Sequence, residues 1–448
     1  MAAALALTAC TTPKRSAPTA STSAEVTPAA SASGAATAAP DTPVGRQLGW
    51  FLGTVTRLPL PESEVTAHMS AGFLAEVPPA KLNELLGQLA DLRLDGLTEA
   101  KPTALTAMVT AAGQRLTLTM AVDEAGRIEE LRLSGADQPS SAPAPADWSE
   151  VDTRLRAVAP DVGFLAAELT RDGACRPVHA IEPATPRPLG SIFKLYVLSA
   201  VADRIRDGKL SWDTSLTITG KVRIPPGVLY EKPEGSTVTV REAAKLMISI
   251  SDNAGTDLLI DTVGRPAVEA QVREWSGHAT LNIPFLTTRE FVLLKAADYP
   301  RLADTYTALK GERRRHYLET TVAGRSLAGL KDWSRPRHIG SVEWFGSPGD
   351  VCRAYAGLAA LGGERLHEVM SASDAGLKLD PGGWPAVWYK GGSEAGVLTM
   401  AFLARSATGR TFVVTVLTSD PRTAYDEAKA AAEPLSLVRG SFSLLAKK

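Results

Sequence analysis

Histidine and cysteine are scarce in this chain, six and three among 448 residues. The histidines fall at no spacing that a metal site needs, so no metal and no cofactor are expected. Charge of one sign is also missing: 48 basic against 49 acidic residues leave a net charge of −1. That balance lacks the basic surface that a nucleic-acid partner requires. Charged clusters such as Lys310 to His316 read as a solvated helix face. No uninterrupted apolar run is long enough to cross a bilayer as a helix. A Gly-x-Ser-x-Gly turn is absent around the serine singled out below, which removes the usual setting of a histidine-based triad. The length exceeds one compact core and implies two folded domains with unstructured segments between and before them.

The first ten residues end in Leu7-Thr8-Ala9-Cys10, which resembles a bacterial lipobox with Cys10 as the lipidated residue. The apolar run before it lacks a basic region, so residues 1–10 read as the tail of a signal peptide that starts upstream. Residues 11–43 are almost wholly Ala, Ser, Thr and Pro and cannot bury enough surface to fold. They read as a tether. The expectation is an extracytoplasmic protein that meets the membrane through a lipid anchor. With Cys10 lipidated, Cys175 and Cys352 remain; an exported protein could join them, but their spacing is not specific, and two buried thiols are expected.

Residues 44–136 change from a helical to a stranded pattern. Ser63 to Phe73 and Pro79 to Leu92 carry apolar residues at helical spacing, as with Leu82, Leu85, Leu86 and Leu89. Leu105 to Ala111, Arg115 to Val122 and Ile128 to Leu133 then alternate around tight Gly113 and Gly126 connections, predicting a three-stranded antiparallel meander. Helices on such a sheet make an α+β domain. It shows no nucleophile or metal cluster, its His68 reads as a surface or satisfied histidine, and a binding or positioning module is the expected role. Residues 137–147, rich in proline, form a linker, and residues 148–448 form the second domain. There, Gly163 to Leu169 with Pro177 to Ile181, and Val397 to Ala404 with Arg410 to Thr418, read as two hairpins. Strands at both ends and helices between them predict one antiparallel sheet with an inserted helical part.

Chemistry concentrates in Pro188-Leu189-Gly190-Ser191-Ile192-Phe193-Lys194, at the start of an apolar helix running to Ile205. Ser191 falls in the first turn with Lys194 one turn on, along the same face. A lysine desolvated against an apolar face loses its proton and can take the one on a serine hydroxyl. The helix N-terminus favours an oxyanion beside that serine. Alone the pair is weak, since an N-cap followed by a surface lysine looks the same. Two further pieces follow in order: Ser251-Asp252-Asn253 between apolar helical segments, and Lys390-Gly391-Gly392-Ser393 opening a strand. Together they form the Ser-x-x-Lys, Ser-Asp-Asn, Lys-Thr-Gly set.

On these residues, with Met247 to Leu258, Pro284 to Glu290 and Lys390 to Val397, the region from Trp148 to Lys448 resembles the class A β-lactamase-like serine hydrolases of the penicillin-recognising superfamily. The whole layout is similar to actinobacterial β-lactamase-like lipoproteins and to two-domain proteins of clavulanate gene clusters, whose N-terminal domain is similar to the ketosteroid isomerase/NTF2 fold. The resemblance implies an α+β protein with a small-molecule β-lactam, ester or peptidyl substrate. It implies Ser191 as acylated nucleophile, Lys194 as its proton acceptor and Ser251 as a proton relay to the leaving group. Asn253 then holds the substrate amide and Lys194, Lys390 attracts the substrate carboxylate and tunes Ser251, and the backbone N–H groups of Ser191 and Ser393 form the oxyanion hole. Gly391 and Gly392 let substrate lie close to the strand. Two positions depart from the pattern. Gly391 stands where the family has a threonine or serine, and His278 stands where a glutamate precedes the Leu281-Asn282 pair and activates the deacylating water; Glu274 and Glu290 are nearby in sequence but do not match the motif. The resulting expectation is acyl transfer through Ser191, with the deacylation step lacking its usual glutamate. A D-alanyl-D-alanine carboxypeptidase or penicillin-binding protein, a cephalosporin-type esterase and a non-catalytic envelope binding protein are the alternatives.

Overall fold

The computed structural model describes residues 39–100, 102–135, 143–225, 227–331, 333–425 and 430–447. Cys10, the signal segment 1–10, residues 11–38 of the tether and residues 137–142 of the linker lie outside the described residues. The chain divides into two units, 1–138 and 139–448.

In the first unit, Thr42 caps the helix Pro43–Leu52 by accepting from Gly45 N, and Val44, Leu48 and Phe51 on one face of that helix are buried. The helix predicted over 63–73 is broken into Glu62–His68 and Ala71–Glu76. Between them Met69 bridges Ile128, and Ser70 both donates its N–H to Ile128 O and caps Phe73 N, so pairing with the sheet outweighs local helical spacing. Pro79–Leu86 follows, burying Leu82 and Leu86. The sheet has four antiparallel strands in chain order, Arg93–Ala100, Ala104–Ala111, Gln114–Val122 and Ile128–Gly135. The meander expectation therefore lacked the first strand. Its register shifts between Leu94 and Gly96 and again between Leu97 and Glu99, and such bulges erase the period-two signal. His68 is satisfied as expected: its Nδ1 lies 2.8 Å from Gln47 Oε1 and its ring stacks on Trp50.

The second unit is built on a five-stranded antiparallel sheet in the order Ala386–Glu394, Val397–Arg405, Thr411–Ser419, Asp161–Leu169, Cys175–Ile181. Strands from the two ends of the unit meet in the middle, where Thr415 faces Leu165. Alternate residues feed two cores. Met400, Phe402, Phe412 and Val414 pack with Val151 and Leu155 of the helix Trp148–Val158 and with Leu437 and Phe442 of Ala432–Ala446. Ala401, Leu403, Val413 and Leu417 pack on the other face against the helical part, including Val197 and Leu198. The strand Ala386–Glu394 is left at the sheet edge, directly beside the turn that carries Ser191.

One expectation needs correction. Cys175 and Cys352 are not thiols but a disulfide with Cα atoms 6.3 Å apart. Cys175 opens the outermost strand, and Cys352 is buried in the helix Pro348–Leu361 that packs beneath it; the pair is 177 residues apart in sequence and adjacent only through the fold. The helix Gly311–Tyr317 buries no residue, in keeping with the solvated face expected there, and Arg315 on it donates to both oxygens of the buried Glu269, at 2.8 and 3.0 Å.

Candidate active site

Ser191 sits in a short 3₁₀ turn, Gly190–Phe193, that runs into the helix Lys194–Arg206. The turn is tied to the sheet: Leu189 N donates to Trp344 O at 2.8 Å, and Thr399 Oγ1 on the second strand donates to Leu189 O at 2.7 Å. Below it, the Phe193 ring stacks on Trp344 with centroids 3.6 Å apart, fixing the turn from inside the core.

The close approach of turn and edge strand explains two glycines. A Cβ on Gly392 would stand 2.3 Å from Ser191 N and 2.5 Å from Leu189 O. Gly190 has φ +50°, and a Cβ on it would lie 3.0 Å from Ser393 N. Side-chain-free backbone on both sides brings the N–H groups of Ser191 and Ser393 to the same narrow gap, with Ser191 half-buried and Ser393 exposed.

Ser251 and Asn253 arrive on the opposite wall. Asp252 caps the helix Asn253–Val263 by accepting from Gly255 N at 2.7 Å, and its other oxygen accepts from Leu229 N at 3.0 Å. That capping turn forces Ser251 into a left-handed conformation, φ +62°, and aims its side chain back at the lysines. Lys194 Nζ lies 2.6 Å from Ser251 O, 3.0 Å from Ser251 Oγ and 2.9 Å from Asn253 Oδ1. Lys390 Nζ lies 3.1 Å from the same Ser251 Oγ and 2.8 Å from Gly391 O. The predicted residues Ser191, Lys194, Ser251, Asn253, Lys390, Gly392 and Ser393 are thus brought to one locus.

Electrostatics at this locus favour a free base. Burial lowers the Lys194 amine to about 7, against the opposing attraction of Asp252 and Asp257. Burial pushes Lys390 well below the usual lysine range, and the neighbouring Lys194 adds to the shift. When Lys194 is neutral it has two hydrogens and one lone pair. Ser251 O and Asn253 Oδ1 can only accept, so they take the two hydrogens, and the lone pair is left to face the third partner, the Ser251 hydroxyl at 3.0 Å.

Asp257 was not singled out from the sequence. It lies one turn beyond Asn253, is buried, and accepts from Thr288 N at 2.7 Å, Thr288 Oγ1 at 2.8 Å and Arg289 N at 3.0 Å. Burial raises its carboxyl to about 6 despite these donors. The i, i+4 spacing from Asn253 was the available signal; its partners, more than thirty residues on, were not readable.

Among the described residues no carboxylate hydrogen-bonds to Lys194 or to Ser191 Oγ. The positions considered for a deacylating base are engaged elsewhere. His278 Nδ1 lies 2.7 Å from Asp350 Oδ2, Glu290 pairs with Arg265 at 2.6 Å and caps the helix Thr288–Ala296, and Glu274 is exposed. Glu394, next along the strand from Ser393, pairs with the buried Lys295. Among the described residues no His, Cys, Asp and Glu group has the geometry to hold a metal ion.

Residues 149–325 match the β-lactamase enzyme family, and residues 39–128 match the family described as the ORF 12 gene product N-terminal. β-Lactamase VEB-1 from Pseudomonas aeruginosa is 31% identical over 80 residues, 17% of this chain and 27% of that protein. The β-lactamase regulatory protein BlaB from Streptomyces cacaoi is 29% identical over 123 residues, 27% of this chain and 39% of that one. The chain therefore matches well under half the length of these two relatives. Among solved structures, a β-lactamase from Chitinophaga pinensis aligns at 19% identity with a TM-score of 0.45, covering 66% of this chain and 98% of its own. A penicillin G acyl-enzyme of PBP-A aligns at 16% identity with a TM-score of 0.44, covering 68% of this chain and all of its own.

Proposed function

We propose that this chain is a serine hydrolase of the penicillin-recognising superfamily, a reading that the match of residues 149–325 to the β-lactamase enzyme family supports, and that Ser191 is acylated by β-lactams or by related esters and amides. The observation that carries this reading is the Ser251 hydroxyl held between Lys194 at 3.0 Å and Lys390 at 3.1 Å, beside the Ser191 turn. In the proposed reaction, Ser191 Oγ attacks the carbonyl carbon while Lys194 takes its proton. Negative charge develops on the carbonyl oxygen between the Ser191 and Ser393 N–H groups. The carbonyl then reforms, the bond to the leaving nitrogen or oxygen breaks, and Ser251 supplies the proton that the leaving atom needs. Ser251 regains a proton from Lys194 or Lys390.

Hydrolysis of the acyl-enzyme requires an activated water. The absence of a carboxylate on Lys194 or Ser191 among the described residues supports a long-lived acyl-enzyme, which is penicillin-binding behaviour rather than rapid lactam turnover. A fluorescent penicillin tests both parts. Labelling of the protein and none of Ser191→Ala is the expected result, with label lost slowly on chase; equal labelling of both proteins removes Ser191 from the mechanism. Release of terminal D-alanine from a model peptide would extend the reading to peptidoglycan stems.

Export and lipid anchoring through Cys10 belong to the same proposal. The Cys175–Cys352 disulfide supports them, since such bonds persist in oxidising compartments. Intact-mass analysis of the membrane fraction checks this, and an unmodified Cys10 contradicts it.

A further inference from the structure

Glu394 follows Ser393 on the edge strand, and its side chain turns inward where that of Ser393 is exposed. It is 6% exposed and pairs with Lys295, which is wholly buried on the helix Thr288–Ala296 with its amino group 4.4 Å from the centre of the Phe291 ring. A second carboxyl shares this space. Glu343 is 4% exposed, and one of its oxygens accepts from Trp344 N at 2.5 Å. Its other oxygen, Oε1, and Oε2 of Glu394 are both buried and have no separate partner among the described residues. The two carboxyl groups are hydrogen-bonding neighbours of each other, and the Trp333 indole also approaches Glu394. Two carboxylates cannot hydrogen-bond without a proton between them, so one shared proton satisfies both orphaned oxygens at once.

The charges around the pair agree. Lys295 supplies one positive charge against two carboxyl groups, and among the described residues no second cation pairs with either. Arg337, the next cation along, donates instead to Lys295 O at 2.6 Å and lies over the Tyr299 ring. Burial pushes the Glu343 carboxyl well above the usual carboxylate range, and Glu394 adds to this against the pull of Lys295. Burial raises Glu394 too, but Lys295 pairs with it directly, so the proton rests on Glu343.

That proton joins the two sides of the oxyanion gap. Glu394 is peptide-bonded to Ser393, whose N–H is one of the two proposed donors. Glu343 is peptide-bonded to Trp344, whose carbonyl accepts from Leu189 N at 2.8 Å and whose ring stacks on Phe193, on either side of Ser191. We propose that Glu343 is a positioning residue, whose carboxyl proton bridges to Glu394 and thereby holds the Ser393 N–H against the Ser191 turn. Loss of the proton sets two buried carboxylates against each other and adds a negative charge near the oxygen on which charge develops during acylation. This inference rests on the serine hydrolase reading given above and assigns part of its control.

The test compares the unaltered protein with Glu343→Gln, which keeps a donor but cannot ionise, and Glu343→Met, which keeps only the bulk. The infrared difference spectrum between the unaltered protein and Glu343→Gln at pH 7 is expected to show the carbonyl band of a protonated carboxyl, and its absence overturns the proposal. Acylation of Ser191 by benzylpenicillin, followed by intact mass, is expected to fall at the alkaline pH where that band disappears, and to show no such fall in Glu343→Gln. Glu343→Met is expected to acylate about tenfold or more slowly at pH 7, the loss that one hydrogen bond to a charged group is worth. The same alkaline fall in Glu343→Gln, or an unchanged rate in Glu343→Met, overturns the proposal while leaving acylation of Ser191 intact; if Glu343→Met does not fold, the Glu343→Gln profile decides alone. If the band is present but the unaltered protein forms no adduct, the hydrolase reading itself fails and takes this role with it.

Discussion

Two amino groups share one hydroxyl at the centre of this site, and the protons available decide what it can do. Lys194 is held near 7 by burial, so the base form grows as pH rises through that value. Acylation of Ser191 is expected to rise with pH around 7 and to level off above it, as read from the pH profile of the acylation rate. Asp257 contributes a negative charge that favours the ammonium form of Lys194. Asp257→Asn removes that charge and is expected to move the midpoint of the profile to lower pH; a midpoint that moves up contradicts the assignment. The same shift has a consequence for stability. The folded Lys194 titrates near 7 and the unfolded one near 10.5, so between these values the unfolded chain binds the extra proton. This group therefore makes the fold more stable as pH rises from 7 to 10.5. The motif residues could be found in the sequence because each carries its identity in a local spacing. Asp257 could not, since its significance comes from Thr288 and Arg289, more than thirty residues on.

At the level of elements, the site depends on the fit between the Ser191 turn and the edge strand. Gly392→Ala places a methyl group 2.3 Å from Ser191 N, and the strand has to move outward to accept it. The expected result is a loss of acylation by about 100-fold or more, the effect of displacing an oxyanion donor. The stability cost is expected at about 1–3 kcal/mol, as for an overpacked contact. Acylation kinetics and urea denaturation measure the two separately, and unchanged kinetics contradict the close approach. The two C-terminal hairpin strands were legible because Val397 to Thr418 is rich in β-branched and apolar residues around the Ala407-Thr408-Gly409 turn. The strand Arg93–Ala100 was not, because two bulges break its alternation. The helix expected over 63–73 failed for a different reason: Ser70 is a good cap, and Met69 has a sheet partner.

Across the whole chain, length and the long low-complexity stretches indicated two folded parts. The Cys175–Cys352 bridge was hidden, since a contact spanning 177 residues leaves no trace in local pattern. Replacing both cysteines by serine is expected to lower the unfolding free energy by about 2–4 kcal/mol. Denaturation of the unaltered protein with and without reductant should reproduce that loss, and coincident curves contradict it. The central claim is that Ser191 forms an acyl-enzyme that outlasts the reaction's first step. Intact-protein mass measured over time after mixing with benzylpenicillin tests it most directly. The account predicts an adduct of one penicillin that is absent from Ser191→Ala and persists after free drug is removed; no adduct, or an adduct that survives the loss of Ser191, contradicts it.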